Sequence, residues 1–93
     1  MHIGLLQIYL RLPGIQSLKG KRQIIKSLKD RIRQQANVSI AEIGLLDAWQ
    51  ESEMAVVTLS NDPARVHQVL ESVLKMVETT PEVLITDQKI EML

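Results

Sequence analysis

Two stretches of the chain repeat apolar residues at helical spacing, and each is bracketed by runs that read as strands. From Leu18 to about Ala36 the stripe is Ile24, Ile25, Leu28, Ile32 and Ala36; from Pro63 to about Thr79 it is Val66, Val69, Leu70, Val73, Leu74 and Val77. Ser17 is the expected N-cap of the first helix. Asn37 is its expected stop, because asparagine tolerates the left-handed conformation that often ends helices. Asp62 as N-cap with Pro63 at the first helical position opens the second helix, and Pro81 closes the segment.

The first strand, His2 to Leu12, alternates: Leu6, Ile8 and Leu10 fall on one side, Leu5, Gln7, Tyr9 and Arg11 on the other. Val38 to Leu46 and Glu53 to Ser60 are rich in β-branched and aliphatic residues, and the polar stretch Asp47 to Ser52 reads as a hairpin connection. Val83 to Leu93 supplies a last strand whose apolar parity switches between Ile85 and then Ile90 and Met92, which predicts a bulge or uneven burial. Right-handed crossovers then lead to a ferredoxin-like βαββαβ fold of the α+β class. It is a two-layer sandwich of a four-stranded antiparallel sheet with both helices on one face, the first and third strands central. Residues 1–93 leave room for a single domain.

The absence of cysteine excludes disulfides, thiolate metal sites and thiol nucleophiles. The apolar N-terminal run is too short to span a bilayer and shows neither a basic leader nor a small-residue cleavage site, so the expectation is a cytoplasmic protein without membrane association. His2 and His67 have no ligand-like spacing around them, and neither a metal nor a cofactor is called for.

The formal net charge is zero, yet residues 1–36 hold eight Lys or Arg and one acid, net +7, while residues 37–93 hold three and ten, net −7. At 100° per residue Lys19, Arg22, Lys26, Lys29 and Arg33 fall in one strip along the first helix. Lys19, Lys21 and Arg22 lie in its first turn and a half, where the macrodipole disfavours cations by roughly 0.3–1 kcal/mol each, and Gly20 among them is a poor helix former. Broken local rules point to function, here an anion or nucleic-acid site of Arg11, Lys19, Lys21, Arg22, Lys26, Lys29 and Arg33 assisted by free backbone amides. The competing expectation is a solvated face neutralised by acids elsewhere, such as Glu51, Glu53 or Glu82.

Tyr9 and Trp49 are the only aromatic residues, too few for the ring-stacking RNA platform that sheets of this topology often carry. The open sheet face is instead expected to present Leu5, Tyr9, Ile40, Met54 and Val56, an aliphatic patch suited to a homodimer or protein contact. Trp49, in the turn segment, is expected to cover the chain's own core. Arg11 and the loop to Gln16 occupy the place of the phosphate loop of acylphosphatases, which share this topology, but the glycine-rich pattern is missing. No Ser/His/acid set or paired carboxylates accompany it, so the chain leans away from an enzyme.

Leu12-Pro13-Gly14, Ser17-Leu18-Lys19-x-Lys21-Arg22, Ser27-Leu28-Lys29, Asn37-Val38-Ser39-x-Ala41-Glu42, Asp47-x-Trp49-Gln50 and Ser60-Asn61-Asp62 together resemble the YlxP-like family of small bacterial proteins, a domain of unknown function. The resemblance spans nearly the whole chain. It implies the ferredoxin-like fold, a cytoplasmic protein, and genes lying near those of ribosome-binding factor A and a translation initiation factor; it supplies no catalytic residues. Between Glu42 and Asp47 the family usually places polar residues, often with a histidine, whereas this chain has Gly44, Leu45 and Leu46.

The leading expectation is therefore a non-enzymatic module that binds structured RNA or a ribosomal surface through the basic first helix. A structural homodimer through the aliphatic sheet face and a phosphate-ester or acyl-phosphate enzyme at Arg11 are the alternatives.

Overall fold

The computed structural model describes residues 1–93 as β1 (His2–Arg11), α1 (Leu18–Gln35), β2 (Ser39–Gly44), β3 (Glu51–Ser60), α2 (Pro63–Glu78) and β4 (Leu84–Met92). The sheet order is β2-β3-β1-β4 with every neighbouring pair antiparallel, which is the ferredoxin-like α+β sandwich with the first and third strands central. β1 and β3 pair along their full length, from His2 opposite Ser60 to Arg11 opposite Glu51.

Alternation in β1 sends Leu6, Ile8 and Leu10 under the helices, where they meet Ile25, Leu28 and Ile32 of α1 and Val66, Leu70, Val73 and Val77 of α2. At Gly4 the backbone of β1 comes so close to α2 that a Cβ would collide with Val66 Cγ1 and lie 2.9 Å from Leu70 Cδ1. Both N-caps are as expected: the Ser17 hydroxyl accepts from Gly20 N and the Asp62 carboxylate from Ala64 N. The C-terminus of α1 differs, ending at an extended Ala36 whose amide still bonds Ile32 O; Asn37 does not take the left-handed conformation expected of it.

The parity switch in the last strand is a bulge, because Tyr9 faces Asp87 while Leu10 faces Ile85, leaving Thr86 as the extra residue. A second irregularity lies in β2, where Glu42 faces Met54 but Gly44 faces Glu53, leaving Ile43 outside the register.

Pairing corrects the expected composition of the open face. Residues directly opposite in an antiparallel pair share a face, and Leu6 faces Val56, Ile8 faces Met54, and Ile40 faces Val56. Ile40, Met54 and Val56 are consequently buried in the core, not displayed for a partner. Leu5 and Tyr9 do lie on the open face, beside Ala41, Ala55 and Val57, with Ile3 and Leu59 paired at one end. At the other end Tyr9 stands opposite Glu53 and Asp87. Hydrogen bonding to the Glu53 carboxylate, and then its negative charge, push the Tyr9 phenol above its ordinary pKa. No helix is long and apolar enough to cross a membrane.

Candidate functional site

The flank of α1 beside its buried stripe carries Lys19, Arg22, Lys26, Lys29 and Arg33. At a rise of roughly 1.5 Å per residue the strip runs about 21 Å along the helix axis. Lys19, Arg22, Lys26 and Arg33 are exposed and Lys29 is half-buried. Asp30 is the one acid among them. Its carboxylate accepts from Lys26 Nζ at 2.8 Å and lies 3.8 Å from Arg33 Nη1, and the hydrogen bond from Lys26, reinforced by the charges of Lys26, Arg33 and Lys29, holds it below the usual aspartate range. Arg33 also donates to Ile40 O at 3.0 Å, which ties the far end of the strip to β2.

Lys19, Arg22 and Lys29 have no carboxylate within 4.0 Å. Glu51, Glu53 and Glu82, the acids of the competing expectation, make no ion pair with the strip. Arg11 is exposed at the end of β1, off the helix, and joins the neighbouring hairpin instead.

Lys21 does not belong to the anion-binding set. Its side chain is 0% exposed, and its ammonium donates to Leu45 O and Ala48 O, both at 2.6 Å, and meets Glu42 Oε2 at 3.0 Å. Two hydrogen bonds and the ion pair with Glu42 compensate the buried charge. The buried Ser52 hydroxyl donates to the same Glu42 oxygen at 2.6 Å. A helical-wheel signal was present in the sequence: Lys21 precedes Ile25, Leu28 and Ile32 at the i, i+4, i+7 and i+11 positions of the buried stripe. A cation on that stripe has to find an anion or carbonyls inside the fold. Gly20 has a local reason as well, since a Cβ there would lie 3.2 Å from the capping Ser17 hydroxyl.

What Lys21 grips is the β2–β3 hairpin. Leu45 adopts φ 58°, a left-handed conformation unfavourable for a branched side chain, and its carbonyl accepts both the Lys21 ammonium and Ala48 N. Further along, Leu12 N donates to Gln50 O and the Gln50 side chain donates to Ile15 O at 2.8 Å. The loop is thus tethered to the start of α1 and to the end of β1. On it, Trp49 remains 52% exposed, and it does not cover the core as expected. Arg11, Ala48, Trp49, Gln50 and Glu51 line an open cleft of about 490 Å³ there.

The model of a family described as "Protein of unknown function (DUF503)" matches residues 3–90. The chain belongs to the DUF503 family. It is 34% identical to the uncharacterized protein YlxP of Bacillus subtilis (strain 168) over 67 residues, 72% of this chain and 73% of that protein, so the YlxP-like resemblance holds. The fold is similar to the crystal structure of a C-terminal segment of the alpha subunit of aIF2 from Pyrococcus abyssi, with TM-score 0.54 and 13% identity over 99% of this chain and 49% of that one. This chain spans about half of that structure, and the likeness is one of fold alone.

In this DUF503 chain three of the stretches that carry the resemblance meet at one corner. Ser17 caps α1, Lys21 joins it to Glu42, and the Lys21 ammonium and the Gln50 amide hold the loop of Asp47-x-Trp49-Gln50. The departing stretch, Gly44-Leu45-Leu46, forms the exposed apolar tip of the same hairpin.

Proposed function

We propose that the chain is a non-enzymatic module that binds structured RNA through the cationic strip on the flank of α1. The observation that carries this reading is the set Lys19, Arg22 and Lys29, aligned on one face of a helix and lacking any carboxylate partner. Unpaired surface cations aligned over about 15 Å of a rigid element meet successive phosphates of a polyanion without first having to break internal ion pairs. Lys26 and Arg33 extend the strip at reduced strength because each is shared with Asp30. Lys21 contributes by fixing the helix start, not by contacting phosphate.

The test is binding of the full chain to a structured RNA, or to ribosomal particles, across a salt series, with Lys19→Glu/Arg22→Glu beside the unaltered chain. Loss of a salt-sensitive association in that variant supports the reading, and unchanged association refutes it.

A second reading concerns a different surface. Val57 and Leu59 are 36% and 61% exposed on the open sheet face, next to Leu5 and Ile3. That apolar end suits a homodimer or a protein partner and is compatible with RNA on the opposite side of the molecule.

A further inference from the structure

The cleft beside Trp49 adds a second kind of contact to the cationic strip. A tryptophan ring carries a large apolar area that proteins ordinarily cover, and Trp49 instead stands half in solvent. Its backbone is not free to fold the ring away: Ala48 O is held by Lys21, Gln50 O by Leu12 N, and the Gln50 side chain by Ile15 O. The Lys21 and Gln50 tethers keep the hairpin that carries the ring at the end of the molecule where α1, and with it the strip, begins. Tyr9, the other aromatic residue, sits beside Glu53 and Asp87 on the open sheet face and does not line the cleft.

We propose that this cleft seats an unpaired base of the RNA whose phosphates lie along α1, the base stacking on Trp49 while Arg11 meets the adjoining backbone. The inference rests on the RNA reading and sharpens it to RNA with unpaired nucleotides next to a duplex. Aromatic rings that take up splayed bases are the usual means by which proteins recognise single-stranded loops and bulges. Glu51 in the lining disfavours a bare phosphate, whereas its carboxylate accepts from the amino group of a base, so the cleft fits a base better than an inorganic anion.

Trp49 is the only tryptophan, and its fluorescence reports on the cleft directly. The full chain is titrated with a stem-loop RNA carrying an unpaired bulge and, separately, with a fully paired duplex of equal length. The bulged RNA is expected to bind more tightly and to quench Trp49, with the paired duplex binding without quenching. Trp49→Ala should weaken the bulged RNA by about 5- to 100-fold and leave the paired duplex unchanged, and Trp49→Phe should restore most of the loss. Equal affinities without quenching, or equal losses for both RNAs in Trp49→Ala, overturn the cleft while salt-sensitive binding keeps the strip. Failure of the unaltered chain to bind either RNA overturns both. The quenching arm needs no variant, so it decides the matter even if Trp49→Ala folds poorly.

Discussion

Lys21 Nζ lies 3.0 Å from Glu42 Oε2 with the lysine fully buried and the glutamate side chain 13% exposed, and this pair joins the first turn of α1 to β2. The lysine also closes the hairpin that displays Trp49, so one buried charge organises both parts of the candidate RNA surface. Lys21→Met is expected to destabilise the fold by about 3–5 kcal/mol, because it takes the cation from the part-buried Glu42 carboxylate and leaves the Ala48 carbonyl without a donor. Adding Glu42→Leu to Lys21→Met should recover part of that loss but not all, since Leu45 O loses one donor and Ala48 O its only one. Urea denaturation of the two single variants and the double variant measures the coupling; additive losses would dismiss the pair as a linked unit.

The fold was legible because each element announces its own period, the helix starts at Ser17 and Asp62 follow from local residue types, and the parity switch after Ile85 signals an irregularity that only the pairing places at Thr86. The face of β3 was not. Met54 and Val56 on one side and Ala55, Val57 and Leu59 on the other are all apolar, so alternation alone does not say which row faces the helices; only pairing with Leu6 and Ile8 decides it. Of the cationic site, the strip was legible from helical angles. The withdrawal of Lys21 was visible only if its place on the apolar stripe outweighed its charge, and the exposure of Trp49 depends on long-range tethers to Leu12, Ile15 and Lys21 that no local pattern encodes.

Asp30 acts as a brake on the cationic strip. Its carboxylate occupies Lys26 and draws on Arg33, so Asp30→Asn frees both for phosphate. The variant is expected to bind structured RNA more tightly than the unaltered chain, with a steeper dependence on salt. If three cations each displace a counterion on duplex RNA, the slope of log affinity against log salt is about −2.7, and it approaches about −4.5 when all five engage. Alanine at Lys19 or Arg22 should flatten the slope by about 0.9. A salt series on filter binding or anisotropy measures these slopes, and an unchanged slope in Asp30→Asn would show that Lys26 and Arg33 take no part.

Tyr9 provides a pH probe of the open face because it is the only tyrosine. Glu53, first through its hydrogen bond and then through its charge, favours the protonated phenol in the folded chain, so its folded pKa lies above the ordinary 10.0. With the folded value above the unfolded one, the contribution to stability is complete below the unfolded pKa and fades as pH rises through the folded value. Phenolate absorbance is expected to reach its midpoint above 10.0 in the native chain and to fall back toward that value in Glu53→Gln. A midpoint unmoved by Glu53→Gln would detach Glu53 from the phenol.

The two faces of β3 also predict opposite responses to substitution. Met54 is fully buried among β1, β2 and the helices, so Met54→Ala removes core volume and should cost about 2–5 kcal/mol. Leu59 is 61% exposed on the open face, and Leu59→Lys should leave the melting temperature of the isolated chain nearly unchanged. If the apolar end formed by Ile3, Leu5, Val57 and Leu59 meets a second copy, the same Leu59→Lys substitution lowers the molar mass measured by light scattering at high protein concentration. It should do so without altering the RNA salt slope, since α1 lies on the other side of the sheet. A loss of both self-association and RNA binding in Leu59→Lys would instead mean that the cationic strip is assembled across two chains.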